Sequence, residues 1–138
     1  MLALVVPSCG GGGPNTITGG SGQPKRSVVD ERSWALEPLE TLAVDINITG
    51  GFGGSPTLDA AVEWTFASDD VDLYVTATAC TVEMFGAERC AYKAKADGAT
   101  TKPERVSFSV SDGGTYRFWI VNFGPQRESG TFVAGLTQ

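Results

Sequence analysis

The chain has 138 residues, 41% of them apolar, which is material for one core and not two. Sixteen acidic against ten basic side chains give a net charge of −6, the wrong sign for a protein that must neutralise phosphates, so no nucleic-acid partner is expected. Histidine is absent, which removes the commonest general base, the usual Ser and Cys triads and the commonest metal ligand, and with no Gly-x-Ser-x-Gly elbow, Walker-type loop or His-Glu-x-x-His the chain is not expected to be an enzyme.

In chain order, Leu2 to Val6 is apolar but far too short to span a bilayer. It reads as the tail of a signal-peptide hydrophobic region whose basic start is missing. Val6-Pro7-Ser8-Cys9 follows, with an aliphatic residue three before the cysteine and a small one directly before it. This is similar to the processing site of bacterial lipoproteins, which implies that residues 1–9 are a truncated signal-like segment and that Cys9 carries lipid. Two or three acyl chains anchor stably, at about 0.8 kcal/mol per buried methylene. Residues 10–26, GGGGPNTITGGSGQPKR, are dominated by glycine and are expected to form a flexible linker with a root-mean-square span of roughly 20–25 Å. Gly10 is not the Asp that marks inner-membrane retention in some bacteria, so the outer membrane is the expected address.

From Ser27 onward the pattern alternates with period two. Residues 27–36 form a weak first strand around Val28 and Trp34. Leu42, Val44, Ile46 and Ile48 alternate with polar or small residues, and the Gly- and Pro-rich stretch 50–56 then breaks the strand. Residues 58–67 resume with Ala60, Val62, Trp64 and Phe66 on one side. Next comes SDDVDLYVTAT, residues 68–78, an acidic turn feeding a strand in which Val71, Leu73 and Val75 face one way and Asp72, Tyr74 and Thr76 the other. A short run through Tyr92, then 105–110, then 115–123, apolar on both faces and therefore central, and finally 131–136 complete the set. About eight strands with turns at short intervals and no period of 3.6 predict an all-β, jelly-roll-like antiparallel sandwich over residues 27–138. The Asn47-Ile48-Thr49 sequon lies inside an apparent strand and is taken as a chance match.

Three cysteines form an odd set. Cys80 and Cys90 flank a short segment of the folded region and are expected to pair at the base of a hairpin, contributing about 2–3 kcal/mol in the chain-entropy picture. Two thiols without histidine are too few ligands for a metal site.

Three segments in order, Trp64-Thr65-Phe66-Ala67-Ser68-Asp69-Asp70-Val71-Asp72-Leu73-Tyr74-Val75, Gly114-Thr115-Tyr116-Arg117-Phe118 and Ser129-Gly130-Thr131-Phe132-Val133, resemble the bacterial pre-peptidase C-terminal domain. The resemblance covers roughly residues 42–138. It implies a β-sandwich serving as an accessory or binding module, here without the catalytic domain that usually accompanies it.

Asp69, Asp70 and Asp72 are candidate oxygen ligands for calcium, a hard cation; the other role for them is to cap the turn by accepting backbone N–H bonds. With Leu73 and Tyr116 facing the core, Tyr74 and Trp119 face outward and are candidate ligand-binding aromatics. Met84 and Phe85, at the tip of the Cys80–Cys90 loop, are a second candidate contact. No cofactor is required. The expectation is a monomeric, exported lipoprotein, membrane-anchored through Cys9, whose sandwich binds a carbohydrate, peptide or protein partner; the alternative is a structural or envelope-assembly lipoprotein without a small ligand.

Overall fold

The computed structural model describes residues 22–138, apart from Thr100 and Asp112. Among the described residues there are eight strands and one short helix: β1 (Arg26–Leu36), β2 (Thr41–Ile48), β3 (Thr57–Trp64), β4 (Val71–Ala77), α1 (Val82–Gly86), β5 (Tyr92–Ala96), β6 (Glu104–Ser109), β7 (Gly114–Asn122) and β8 (Glu128–Thr137). The strands form two four-stranded antiparallel sheets, in the orders β1-β8-β3-β6 and β2-β7-β4-β5. No helix among these residues is long and apolar enough to cross a membrane.

The pairing is nested. β1 pairs with β8, β2 with β7, β3 with β6 and β4 with β5, as if one long hairpin had been rolled so that successive pairs fall alternately in the two sheets. That is the jelly-roll arrangement expected from the sequence. The innermost turn of the roll is the β4–β5 connection, which holds α1 and the two cysteines.

Alternation decides what each strand buries. Val44, Ile46 and Ile48 of β2, Leu58, Ala60 and Val62 of β3, Leu73 and Val75 of β4, Phe118 and Ile120 of β7, and Phe132, Ala134 and Leu136 of β8 meet between the sheets. Fully burying one such side chain is worth about 1.5–3 kcal/mol over leaving it exposed. Phe118 and Phe132 pack edge to face across the sandwich with ring centroids 5.4 Å apart. Two of the four edge strands carry visible guards: β1 shifts register between Val28 and Asp30 and carries Asp30, Glu31 and Arg32, while β5 presents Lys93 and Lys95.

The sheet begins slightly earlier than the sequence suggests. The Lys25 N–H donates to Gln138 O at 2.9 Å, and the Arg26 guanidinium holds Asp59 at 2.7 Å. Residues 25 and 26, expected at the end of the linker, therefore belong to the folded unit, because the end of the chain offers a backbone and β3 a carboxylate for them to join.

Gly130 shows how close the two tryptophan-bearing strands come to β8. It sits in register opposite both Trp34 and Trp64, and a Cβ there would drive into the Glu63 carbonyl oxygen. A backbone atom cannot step aside as a flexible side chain can. Gly130→Ala is therefore expected to cost at least about 2 kcal/mol, read as a lower urea midpoint at unchanged m-value.

Candidate functional site

Because β7 carries Phe118 and Ile120 on one face and Trp119 and Val121 on the other, both its faces need cover. One face is the core. On the other, Trp119 stands directly opposite Tyr74 in register and points away from the core, as the alternation predicts, but it is 0% exposed. The cover is Phe85, whose ring stacks on the indole with centroids 4.4 Å apart and planes 7° from parallel. Trp119 Nε1 donates to Thr76 Oγ1 at 2.9 Å, so its polar end is satisfied as well.

Phe85 is delivered by α1. The Thr81 hydroxyl oxygen accepts from the Met84 N–H at 3.3 Å and caps the helix, and Glu88, at φ 55°, turns the chain out of it. A helix this short is not stable alone. Two ties hold it to the sheet: the Cys80–Cys90 disulfide, with Cα atoms 5.7 Å apart, and Arg117, whose Nη1 donates to Cys80 O at 2.9 Å while Nε and Nη2 grip Asp45 at 2.6 Å each. The expected hairpin tip is thus a helical turn folded back on the sheet, and Met84 and Phe85 are half-buried rather than displayed. The apolar residue left displayed there is Val82.

Tyr74, Phe85 and Tyr92 form a cluster with ring centroids 5.3–6.3 Å apart. Beside it runs a groove of about 260 Å³, lined by these three rings with Leu39, Thr41, Gly86, Glu88, Val121 and Phe123. Its far wall is built by Asn122, which is fully buried. The Asn122 amide nitrogen donates to Leu36 O at 3.2 Å and to Gln126 O at 2.7 Å, and its backbone exchanges bonds with the Leu39 N–H and Glu40 O. Leu39 is held there at φ 64° with 74% of its surface exposed, next to Phe123 at 48%. A branched side chain in left-handed backbone is strained, and here the strain presents an apolar group to water.

The three aspartates of the acidic turn have different surroundings. Asp69 is buried against Gly124, with neither carboxylate oxygen hydrogen-bonded among the described residues. Asp70 contributes its carbonyl, which accepts from the Phe123 and Gly124 N–H groups. Asp72 lies on the outer face and accepts from the Tyr74 hydroxyl at 2.6 Å. The turn is capped instead by Glu128, whose two oxygens accept from the Thr65 and Phe66 N–H groups at 3.0 Å each. Among the described residues no group of three or more Asp, Glu, His or Cys is arranged to hold a metal ion.

Burial raises the Asp72 carboxyl above its usual range against the opposing Tyr74 hydrogen bond, with Asp70 and Asp97 adding to the rise. Glu104, also raised mainly by burial, feels the same three carboxylates. Tyr74 is driven upward by burial and by its bond to Asp72. Cys9, the expected lipidation site, lies outside the described residues.

A larger cleft of about 570 Å³ lies beyond the other end of β2, between Pro24, residues 52–57 and the C-terminus. Its walls are mostly glycine, proline and small polar residues, with Phe52 its one aromatic and no charged side chain. It offers less recognition chemistry than the aromatic groove.

The molecule is thus a jelly-roll sandwich with an aromatic groove on one outer face. No protein-family model matches the chain, and no curated protein matches it. Among solved structures it is similar to the crystal structure of the Yersinia pseudotuberculosis-derived mitogen (YPM), with a TM-score of 0.52 and 15% identity over 80% of this chain and 85% of that one. At that identity the likeness is one of fold.

Replacing both Cys80 and Cys90 by Ser is expected to remove about 2–3 kcal/mol of stability. Because α1 then loses one of its two ties, the emission of Trp119, read in a background with Trp34 and Trp64 replaced by Phe, should shift to the red and become accessible to acrylamide. Unchanged emission and quenching would show that Arg117 and the Phe85 stack hold the helix unaided.

Proposed function

We propose that this chain is a non-catalytic binding module, displayed from the bacterial envelope by a lipid on Cys9, and that the groove beside α1 is its contact surface. The observation that carries the proposal is the pairing of Leu39 and Phe123. Two exposed apolar side chains, one in strained backbone, line the same groove, and a buried asparagine bonds the backbone that carries them. The left-handed residue closes the β1–β2 turn, whose Glu40 N–H donates to Glu37 O, and an apolar side chain at that position, where glycine would be unstrained, is what a contact surface accounts for. The lipobox-like start, the glycine-rich spacer and the resemblance to pre-peptidase C-terminal domains support the display and accessory parts of the reading. The disulfide is compatible with an oxidising, extracytoplasmic location.

Phe123→Ala is the discriminating variant, since Phe123 is exposed and its loss leaves the core intact. Against immobilised peptide and glycan arrays it is expected to weaken binding by at least about tenfold, which corresponds to about 1.4 kcal/mol, while the melting temperature stays within about 2 °C of the parent. Full binding by this variant would place the contact elsewhere.

Tethering has a separate test. Mass spectrometry of the protein recovered from bacterial membranes is expected to find a mature chain beginning at a diacylglyceryl Cys9; a mature chain beginning at unmodified Met1 would overturn the lipoprotein reading.

A further inference from the structure

The charge around the groove narrows what can occupy it. Glu88 is the one charged side chain among its described lining residues. Asp72 adjoins it on the same outer face, in register with Val121 and hydrogen-bonded to Tyr74, both of which line the groove. Asp72 is only 5% exposed, and while Oδ2 accepts from Tyr74, Oδ1 has no hydrogen-bond partner among the described residues. A buried carboxylate oxygen without a donor is an unmet demand for one. Asp70 deepens the negative field at this point, and Asp97 adds little because its charge is opposed by its own partner. The nearby cation that opposes them, Lys95, is already committed to Asp97 at 2.7 Å.

The rings point the same way. The largest flat ring, Trp119, is covered by Phe85, and the ring surface left open at the groove is that of Tyr92 and Phe123. A sugar stacked on either would leave the acidic corner unused. An alkylammonium needs only ring surface for its stem and cation, plus a carboxylate for its head.

We infer that the groove takes a lysine or arginine side chain of a partner polypeptide, its stem laid against Leu39 and Phe123 and its cationic head directed to Glu88, in the negative field of the adjoining Asp72. This rests on the groove being the contact surface. Specificity then comes from the acidic corner, and the apolar wall supplies the remaining attraction.

The test uses the full chain, titrated calorimetrically with tetralysine amide, tetraglutamate and cellotetraose at about 0.05 and 0.5 M salt. Tetralysine is expected to bind, to weaken by about tenfold at the higher salt and again in Glu88→Gln, and to lose measurable binding in Phe123→Ala, with tetraglutamate and cellotetraose inert. Cellotetraose binding that is salt-independent, intact in Glu88→Gln and lost in Phe123→Ala would overturn the cationic occupant while leaving the groove as the contact surface. Tetralysine binding that survives Phe123→Ala would be attraction to the acidic chain at large and would overturn the inference, as would a failure of tetralysine to bind. Thermal melts of Glu88→Gln and Phe123→Ala at the parent's temperature exclude misfolding as the cause.

Discussion

A central strand that is apolar on both faces must be covered on both, and the architecture of this protein follows from how that is done for β7. One face, with Phe118 and Ile120, meets the opposite sheet in the ordinary way of a sandwich. The other, with Trp119 and Val121, would lie bare on the outer surface. The cover comes from the innermost turn of the roll, where α1 sets Phe85 flat on Trp119. Aromatic burial of this kind is among the larger single contributions available to a small domain, and it is available only because a disulfide and Arg117 keep a helical turn where it would not otherwise persist.

Covering Trp119 also creates the groove. Phe85, Tyr74 and Tyr92 pack on one another, and the edge of that cluster is one wall. The other wall is the junction of the β1–β2 turn with the end of β7, which Asn122 holds through bonds to Leu36 and Gln126. Structural and recognition roles are therefore separate here. Trp119 stabilises, whereas Leu39, Tyr92 and Phe123 are the groups left for a partner to touch. The acidic residues divide in the same manner: Glu128 serves the β3–β4 turn, while Asp72 and Glu88 lie at the groove.

Much of the fold was legible in the residues. The alternation of Leu42 to Ile48 and of Val71 to Val75 predicted strands and their inward faces, and the two-faced apolar run from Thr115 to Phe123 predicted a central position, which β7 has. The pairing of Cys80 with Cys90 followed from their setting. The site was less legible. Trp119 was correctly turned outward, but nothing local announces that Phe85 lies on it. Thr81 ahead of Glu83 and Met84 was a helix-start signal, too short to outweigh a hairpin reading. Asp69, Asp70 and Asp72 looked like a cluster because they are close in sequence, yet strand alternation and the turn send them to different surroundings. Glu128 was invisible as a cap because its partners lie more than sixty residues away.

The sequence by itself determined the alternating strands, the breaks between them, the inward residues and the disulfide, because period-two patterning and turn chemistry act over a few neighbouring positions. Tertiary structure alone decided which outward aromatic is covered, which carboxylate caps which turn, and that Leu39 and Phe123 share one wall. Those outcomes depend on the nesting of β1 with β8, β2 with β7 and β4 with β5, which brings residues far apart in the chain within contact distance.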